Sequence, residues 1–226
     1  MVFSSLEELT VKLLKPRTPS DGRDEPLRTV LISFVNNHHP TLKSLELGFS
    51  SHHSLNISCL FDMRHLPHLR KFVFDGFATF DTSAIWQFLK IHSSGLHELQ
   101  IGFYHAGSPY GYHTHPLDFP CIRFPKLEVI SFRGEACFWN LDRTLVVLQQ
   151  FETSLTALAL PSWRLLDSEL EMVVDSLARQ CKVRKLHISI RHLDLSLFDL
   201  LAAKLPSLDC LDLEFHSIPG SEVSAL

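Results

Sequence analysis

The sequence of 226 residues contains no apolar run approaching the roughly 20 residues of a bilayer-spanning helix. Its first residues, Met1-Val2-Phe3-Ser4-Ser5-Leu6-Glu7-Glu8, lack the basic start and hydrophobic stretch of a secretory signal. No membrane partner is expected, and a cytoplasmic or nuclear location is. Neither charge dominates: 21 Lys and Arg against 25 Asp and Glu leave a net charge of −4. That balance gives no broad footprint for nucleic acid or an anionic lipid surface. Cysteine is sparse. Cys59, Cys121, Cys137, Cys181 and Cys210 are scattered, odd in number and include no C-x-x-C, a pattern that reads as reduced, buried thiols. With only nine glycines, the chain carries no phosphate-cradling glycine loop, no G-x-S-x-G and no H-E-x-x-H. A non-catalytic protein without a cofactor is the expectation.

Leucine is what the sequence has in excess, at 39 residues, so internal repeats are sought first. One template, apolar-x-x-apolar-x-apolar, recurs as Leu6/Leu9/Val11, Leu42/Leu45/Leu47, Leu69/Phe72/Phe74, Leu96/Leu99/Ile101, Leu127/Ile130/Phe132, Leu155/Leu158/Leu160, Val183/Leu186/Ile188 and Leu208/Leu211/Leu213. Successive first positions are 36, 27, 27, 31, 28, 28 and 25 residues apart. Single matches arise by chance in so apolar a chain; the near-constant spacing does not.

Between templates lie helix-period stretches. Pro26 introduces Leu27, Val30, Leu31, Phe34 and Val35, with proline in the first helical turn, where its missing N–H costs nothing. Ser168-x-x-Glu171 reads as a capping box ahead of Leu170, Val173, Val174, Leu177 and Cys181. Shorter stripes are Ile85/Phe88/Leu89, Leu141/Leu145/Leu148 and Leu197/Leu200/Leu201/Leu205. Prolines 40, 67, 125 and 206 each stand two residues before a template leucine, where they stop a helix and favour an extended approach.

Each unit is thus strand, loop, helix, return. No unit covers its own apolar face, so stacking into one α/β solenoid over 1–226 is predicted, with about eight parallel strands on a concave face and helices on the convex side. The template resembles the leucine-rich repeat, and the helical units are similar to its ribonuclease-inhibitor-like subclass. The irregular spacing and the strand approaches Leu66-Pro67-His68-Leu69 and Leu205-Pro206-Ser207-Leu208 resemble the repeat region of fungal F-box proteins. That resemblance implies a protein-binding scaffold, in its narrower form the substrate-recognition part of a ubiquitin-ligase receptor that presents a ubiquitination substrate to a ligase scaffold. The narrower form needs an F-box upstream, and the first template already begins at Leu6. A missing N-terminal cap and an exposed apolar edge at Leu6, Leu9 and Val11 are therefore expected.

Alternation along each strand assigns two rows to the concave face. One reads Thr10, Glu46, Val73, Gln100, Ser131, Ala159, His187, Asp212; the next reads Lys12, Gly48, Asp75, Gly102, Arg133, Pro161, Ser189, Glu214. Gln100, Asp75, Arg133, His187, Asp212 and Glu214 are candidate contacts for a protein partner, and the small groups between them leave room for a partner's bulky side chain.

Two segments break the rhythm. Residues 15–25 are polar and aperiodic and predict a mobile surface loop. Residues 104–120 form a predicted rim insertion holding all three tyrosines, of which Tyr104, Tyr110 and Tyr112, with His113, are candidate partner contacts. The other reading of 104–118 is a metal-binding or metal-dependent module built from His105, His113, His115 and Asp118; no metal is assigned, because His-x-His alone is a weak pattern. The remaining histidines, including His38-His39 and His52-His53 among 14 in all, are expected in solvated loops.

Overall fold

The last two apolar residues of every template stand two apart, so they share one face of an extended chain and drive it to lie flat on a core. A computed structural model describes residues 5–13, 24–49, 60, 62–77, 83–104, 122–134, 141–151, 154–180 and 182–217. All eight templates end in strands: β1 Glu8–Leu13, β2 Ser44–Phe49, β3 Lys71–Phe77, β4 Glu98–Tyr104, β5 Val129–Gly134, β6 Ala157–Leu165, β7 Lys185–His192 and β8 Cys210–Ser217. They form one open, all-parallel sheet in the order β1 to β8. The five helices among the described residues are α1 Asp24–Asn37, α2 Ser83–His92, α3 Leu141–Leu148, α4 Asp167–Gln180 and α5 Leu195–Lys204.

Template positions hold the register. Leu45, Phe72, Leu99, Ile130, Leu158, Leu186 and Leu211 lie side by side, as do Leu47, Phe74 and Ile101 across the N-terminal half. Each strand start repeats one motif, in which a single carbonyl of the preceding strand accepts two successive N–H groups of the next. Glu7 accepts from Lys43 and Ser44, Lys43 from Arg70 and Lys71, and so on to Arg184 with Asp209 and Cys210. Prolines 67, 125 and 206 lead into the strands through turns rather than the expected extended approach: Leu66, Phe124 and Leu205 accept from the N–H three residues on, at Leu69, Leu127 and Leu208, with proline second in each turn.

The helices lay their stripes on the template face. Leu31 and Val35 of α1, Ile85 and Phe88 of α2, Leu145 and Leu148 of α3, Val173 and Leu177 of α4, and Leu197 and Leu201 of α5 join the strand residues in one core. Phe72 meets Phe88 with ring centroids 4.7 Å apart, a representative strand-to-helix contact. Full burial of such side chains stabilises by roughly 1.5–3 kcal/mol each. At the ends Leu6, Leu9, Val11, Leu208, Leu211 and Leu213 are only half-buried. The N-terminal edge is thus less exposed than expected.

Several local expectations are corrected. Asp24 and Glu25 open α1 rather than ending a loop, while 14–23 lie outside the described residues. Val30 is 64% exposed and off the buried stripe. The capping box expected at Ser168 is not formed: Leu166 precedes α4, its carbonyl accepting from Leu170, and only the reciprocal half of a box is made, the Leu166 N–H donating to Glu169 Oε2 at 2.8 Å. Ser168 is inside the helix. At α5 the cap is Asp194, which accepts from the Ser196 N–H. Cys210 is free and exposed, not buried; the other four cysteines lie outside the described residues.

Two histidines expected in solvent are interior. His38 is 2% exposed and His92 is 3% exposed. His92 donates from Nδ1 to the Phe88 carbonyl at 2.8 Å and accepts at Nε2 from the Leu66 N–H at 3.0 Å, joining α2 to the turn before β3. Burial pushes its pKa down to about 4.

Candidate functional site

With the helices on one side, the opposite face of the sheet carries the two rows read from the sequence. Pairing confirms the first row throughout, through Glu46, Val73, Gln100, Ser131, Ala159, His187 and Asp212. The second row holds for Lys12, Gly48, Asp75, Gly102 and Arg133, and again for Ser189 and Glu214. It breaks at Pro161.

The break has a physical cause. Proline cannot donate to the ladder, and β6 departs from β7 between Leu160 and Leu165. Leu160 pairs with Ile188 and Leu165 with Ile190, so β6 holds three more residues than its neighbour over this span. Within the bulge Trp163 turns inward, 4% exposed, its ring centroid 6.4 Å from that of Phe132. Ser162 and Arg164 turn outward and are exposed. Arg164 takes a φ of 49°, a left-handed conformation uncommon for a side chain with a Cβ.

The structure gathers the sequence-predicted contacts into two clusters separated by β6. In the first, Asp75 of β3 and Arg133 of β5 meet across β4, Oδ2 to Nη1 3.9 Å, and the Gln100 amide lies 3.5 Å from the same carboxylate oxygen. They meet because Gly102 stands between them: a Cβ there would fall on Asp75 Oδ1 and press on Arg133 Cβ. The expected vacancy at Gly102 is therefore filled from within by Asp75. Burial raises the Asp75 pKa, with Arg133 opposing this, Glu46 adding to it and Gln100 again opposing.

In the second cluster His187 of β7 reaches both acids of β8. Its Nε2 lies 3.2 Å from Glu214 Oε1 and its Nδ1 3.6 Å from Asp212 Oδ2. The two nitrogens address different carboxylates, so the three side chains do not converge on one point. No group of three metal-ligating side chains is found among the described residues.

Elsewhere on this face ion pairs join neighbouring strands: Lys12 to Glu46 at 3.1 Å and Lys71 to Glu98 at 2.8 Å. Such exposed pairs contribute about 0–1 kcal/mol each. Their effect is to neutralise the N-terminal half of the face. Val73, Ser131 and Ser189 are buried on it, so not every outward position is solvated.

Tyr104 is the last residue of β4, in register with Phe77, rather than the first of an insertion. Tyr110, Tyr112, His113 and the rest of 105–121 lie outside the described residues, and with them the proposed metal ligands. Arg164 was not among the sequence candidates. Its signal was Pro161, since a proline inside a strand predicts a bulge that shifts every later side chain.

Among the described residues, no helix is long and apolar enough to cross a membrane. No family model matches the chain, and neither a curated protein nor a solved structure shows detectable similarity to it.

Proposed function

We propose that the protein is a non-catalytic binding scaffold of the leucine-rich-repeat kind, engaging a protein partner on the outer face of its sheet. The observation that carries this reading is the division of labour between the two faces. Every described helix packs on the template side, and the other side presents eight strands in continuous order, with one row of side chains in register throughout and a second interrupted at Pro161. At about 4.8 Å per strand it extends roughly 34 Å, the width of a small protein interface. Its middle, with Ala157, Ala159 and Val129, lacks charge, and polar clusters flank it on both sides. An uncharged centre with a polar rim is the usual anatomy of an interface.

The narrower form is the substrate-recognition part of an F-box ubiquitin-ligase receptor, suggested by the proline-led strand approaches at Leu66 and Leu205. The two forms share one surface and differ in whether an F-box accompanies it. Ala159→Arg tests the shared part, because it places a charge at the centre of the face without touching the core. Proteins retained on the immobilised wild-type chain should be lost from this variant while its thermal unfolding is unchanged. Equal retention by both would overturn the reading.

A further inference from the structure

The interval between β2 and β3 covers its part of the core without an α-helix among its described residues. Leu60, Met63 and Leu66 are buried there all the same. Residues 62–66 belong to no strand ladder, so their backbone groups find partners on the flanking helices. Asn36 at the end of α1 donates from Nδ2 to the Asp62 carbonyl at 3.1 Å and accepts at Oδ1 from the Arg64 N–H at 2.7 Å. His92 at the end of α2 accepts at Nε2 from the Leu66 N–H at 3.0 Å. Two side chains from two helices thus clip one irregular segment in place.

Only the second clip can change with a proton. The bond from His92 Nδ1 to the Phe88 carbonyl fixes the neutral tautomer whose Nε2 is bare. A proton added at Nε2 sets one N–H against another, orphans the Leu66 N–H and places a cation in the core beside the His65 ring, which stacks on it at 5.3 Å. The ionisable neighbours give that cation no relief. His65 opposes it by its own charge, and Arg64 and His68 on the same segment and Lys90 on α2 are exposed. The acid of the segment, Asp62, is exposed as well and does not contribute to the His92 shift. Residues 50–59, which lead into the segment and lie outside the described residues, contain no Asp or Glu in their sequence.

We infer that His92 is an acid-released latch: protonated at Nε2, it lets go of the Leu66 N–H, and residues 62–66 detach from α2 while the sheet stays folded. The sheet persists because β3 is paired on both sides, to β2 and to β4, and the contact of Phe72 with Phe88 does not involve the segment. Opening bares Met63 and Leu66, so acid turns a closed stretch of core into an apolar surface. The folded imidazole stays neutral to about pH 4 against an ordinary 6.5, so the open form takes up the proton first and acid draws the equilibrium toward it. The latch is independent of the binding role of the outer face.

The test is amide hydrogen exchange of the full chain, read by mass spectrometry at about pH 7 and about pH 4.5, with each protection factor corrected for the intrinsic rate. Protection over residues 62–69 should fall by more than about tenfold between the two, and at the lower pH should lie more than about tenfold below that of β4. The fall should vanish in His92→Gln, which carries no titrating ring, and persist in His65→Gln, which leaves the latch in place. Equal protection of the two segments at the lower pH would mean that they open together and would overturn the proposal. So would unchanged protection over 62–69, or a fall that survives in His92→Gln. Should His92→Gln not fold, His65→Gln decides, because a fall lost with His65 assigns the proton to that ring and overturns the latch.

Discussion

Asp75 and Arg133 come from strands that are not neighbours, yet their charged groups approach to 3.9 Å, because the residue between them is Gly102 and offers no side chain to separate them. The contact is loose, and Asp75 Oδ1 is buried with no hydrogen-bond donor among the described residues. Gly102 is thus kept free by a neighbouring carboxylate. Gly102→Ala should destabilise by about 1–3 kcal/mol in the wild type through overpacking and by clearly less in an Asp75→Ala background. Chemical denaturation of the four chains of this cycle measures the coupling; additive effects would show that Asp75 does not occupy the space.

Asp75 also sets a direction with pH. Its pKa is raised chiefly by burial, so the folded protein holds the proton where the unfolded chain has released it. Its contribution to stability is therefore largest below the ordinary value of 3.8 and is lost as the pH rises through the folded value. Asp75→Asn should melt at or above the wild-type temperature at neutral pH, with the advantage vanishing in acid.

His92 acts in the opposite sense. The folded imidazole stays neutral down to about pH 4, while the unfolded one gains its proton near 6.5. Its contribution is complete above 6.5 and is lost progressively as the pH falls to about 4, roughly 3 kcal/mol in all. Unfolding free energies measured across that window should fall more steeply for wild type than for His92→Gln. Parallel curves would refute the neutral, doubly bonded histidine.

Much of this architecture was legible in the sequence, and for a simple reason. The spacing of two between the last apolar residues of each template, repeated at nearly constant intervals, specifies strand face, strand order and register together. Leu45, Phe72 and Leu99 lie side by side as that spacing requires. Legibility ended where one residue changed the count. Pro161 broke the ladder, and β6 rejoins β7 only at Leu165, three residues later than template arithmetic requires. The cap of α4 was misread because Glu169 and Glu171 are both acidic, and only the backbone decides which one faces the Leu166 N–H. Burial of His92 was invisible because its partners, Leu66 and Phe88, contribute backbone atoms.

A repeat stack also predicts a gradient. Leu99 is fully buried in the middle of the sheet, whereas Leu211 at its end is half-buried. Leu99→Ala should cost about 2–5 kcal/mol and Leu211→Ala less than half as much. Comparable losses at the two positions would mean that the last strand is covered as fully as the middle ones.

Ser176 in α4 is 3% exposed, and its hydroxyl has no hydrogen-bond partner among the described residues. Ser176→Ala removes a buried polar atom without opening a large cavity. A gain of about 1 kcal/mol, or about 2–4 °C in Tm, is expected by calorimetry.

The binding role of the outer face is tested most directly by site-specific photo-crosslinking, with p-benzoylphenylalanine at Ala159 on that face or at exposed Met172 on α4. A discrete crosslinked partner from position 159, competed away by unlabelled wild type and absent from position 172, is the predicted result; a partner captured from 172 and not from 159 would contradict it.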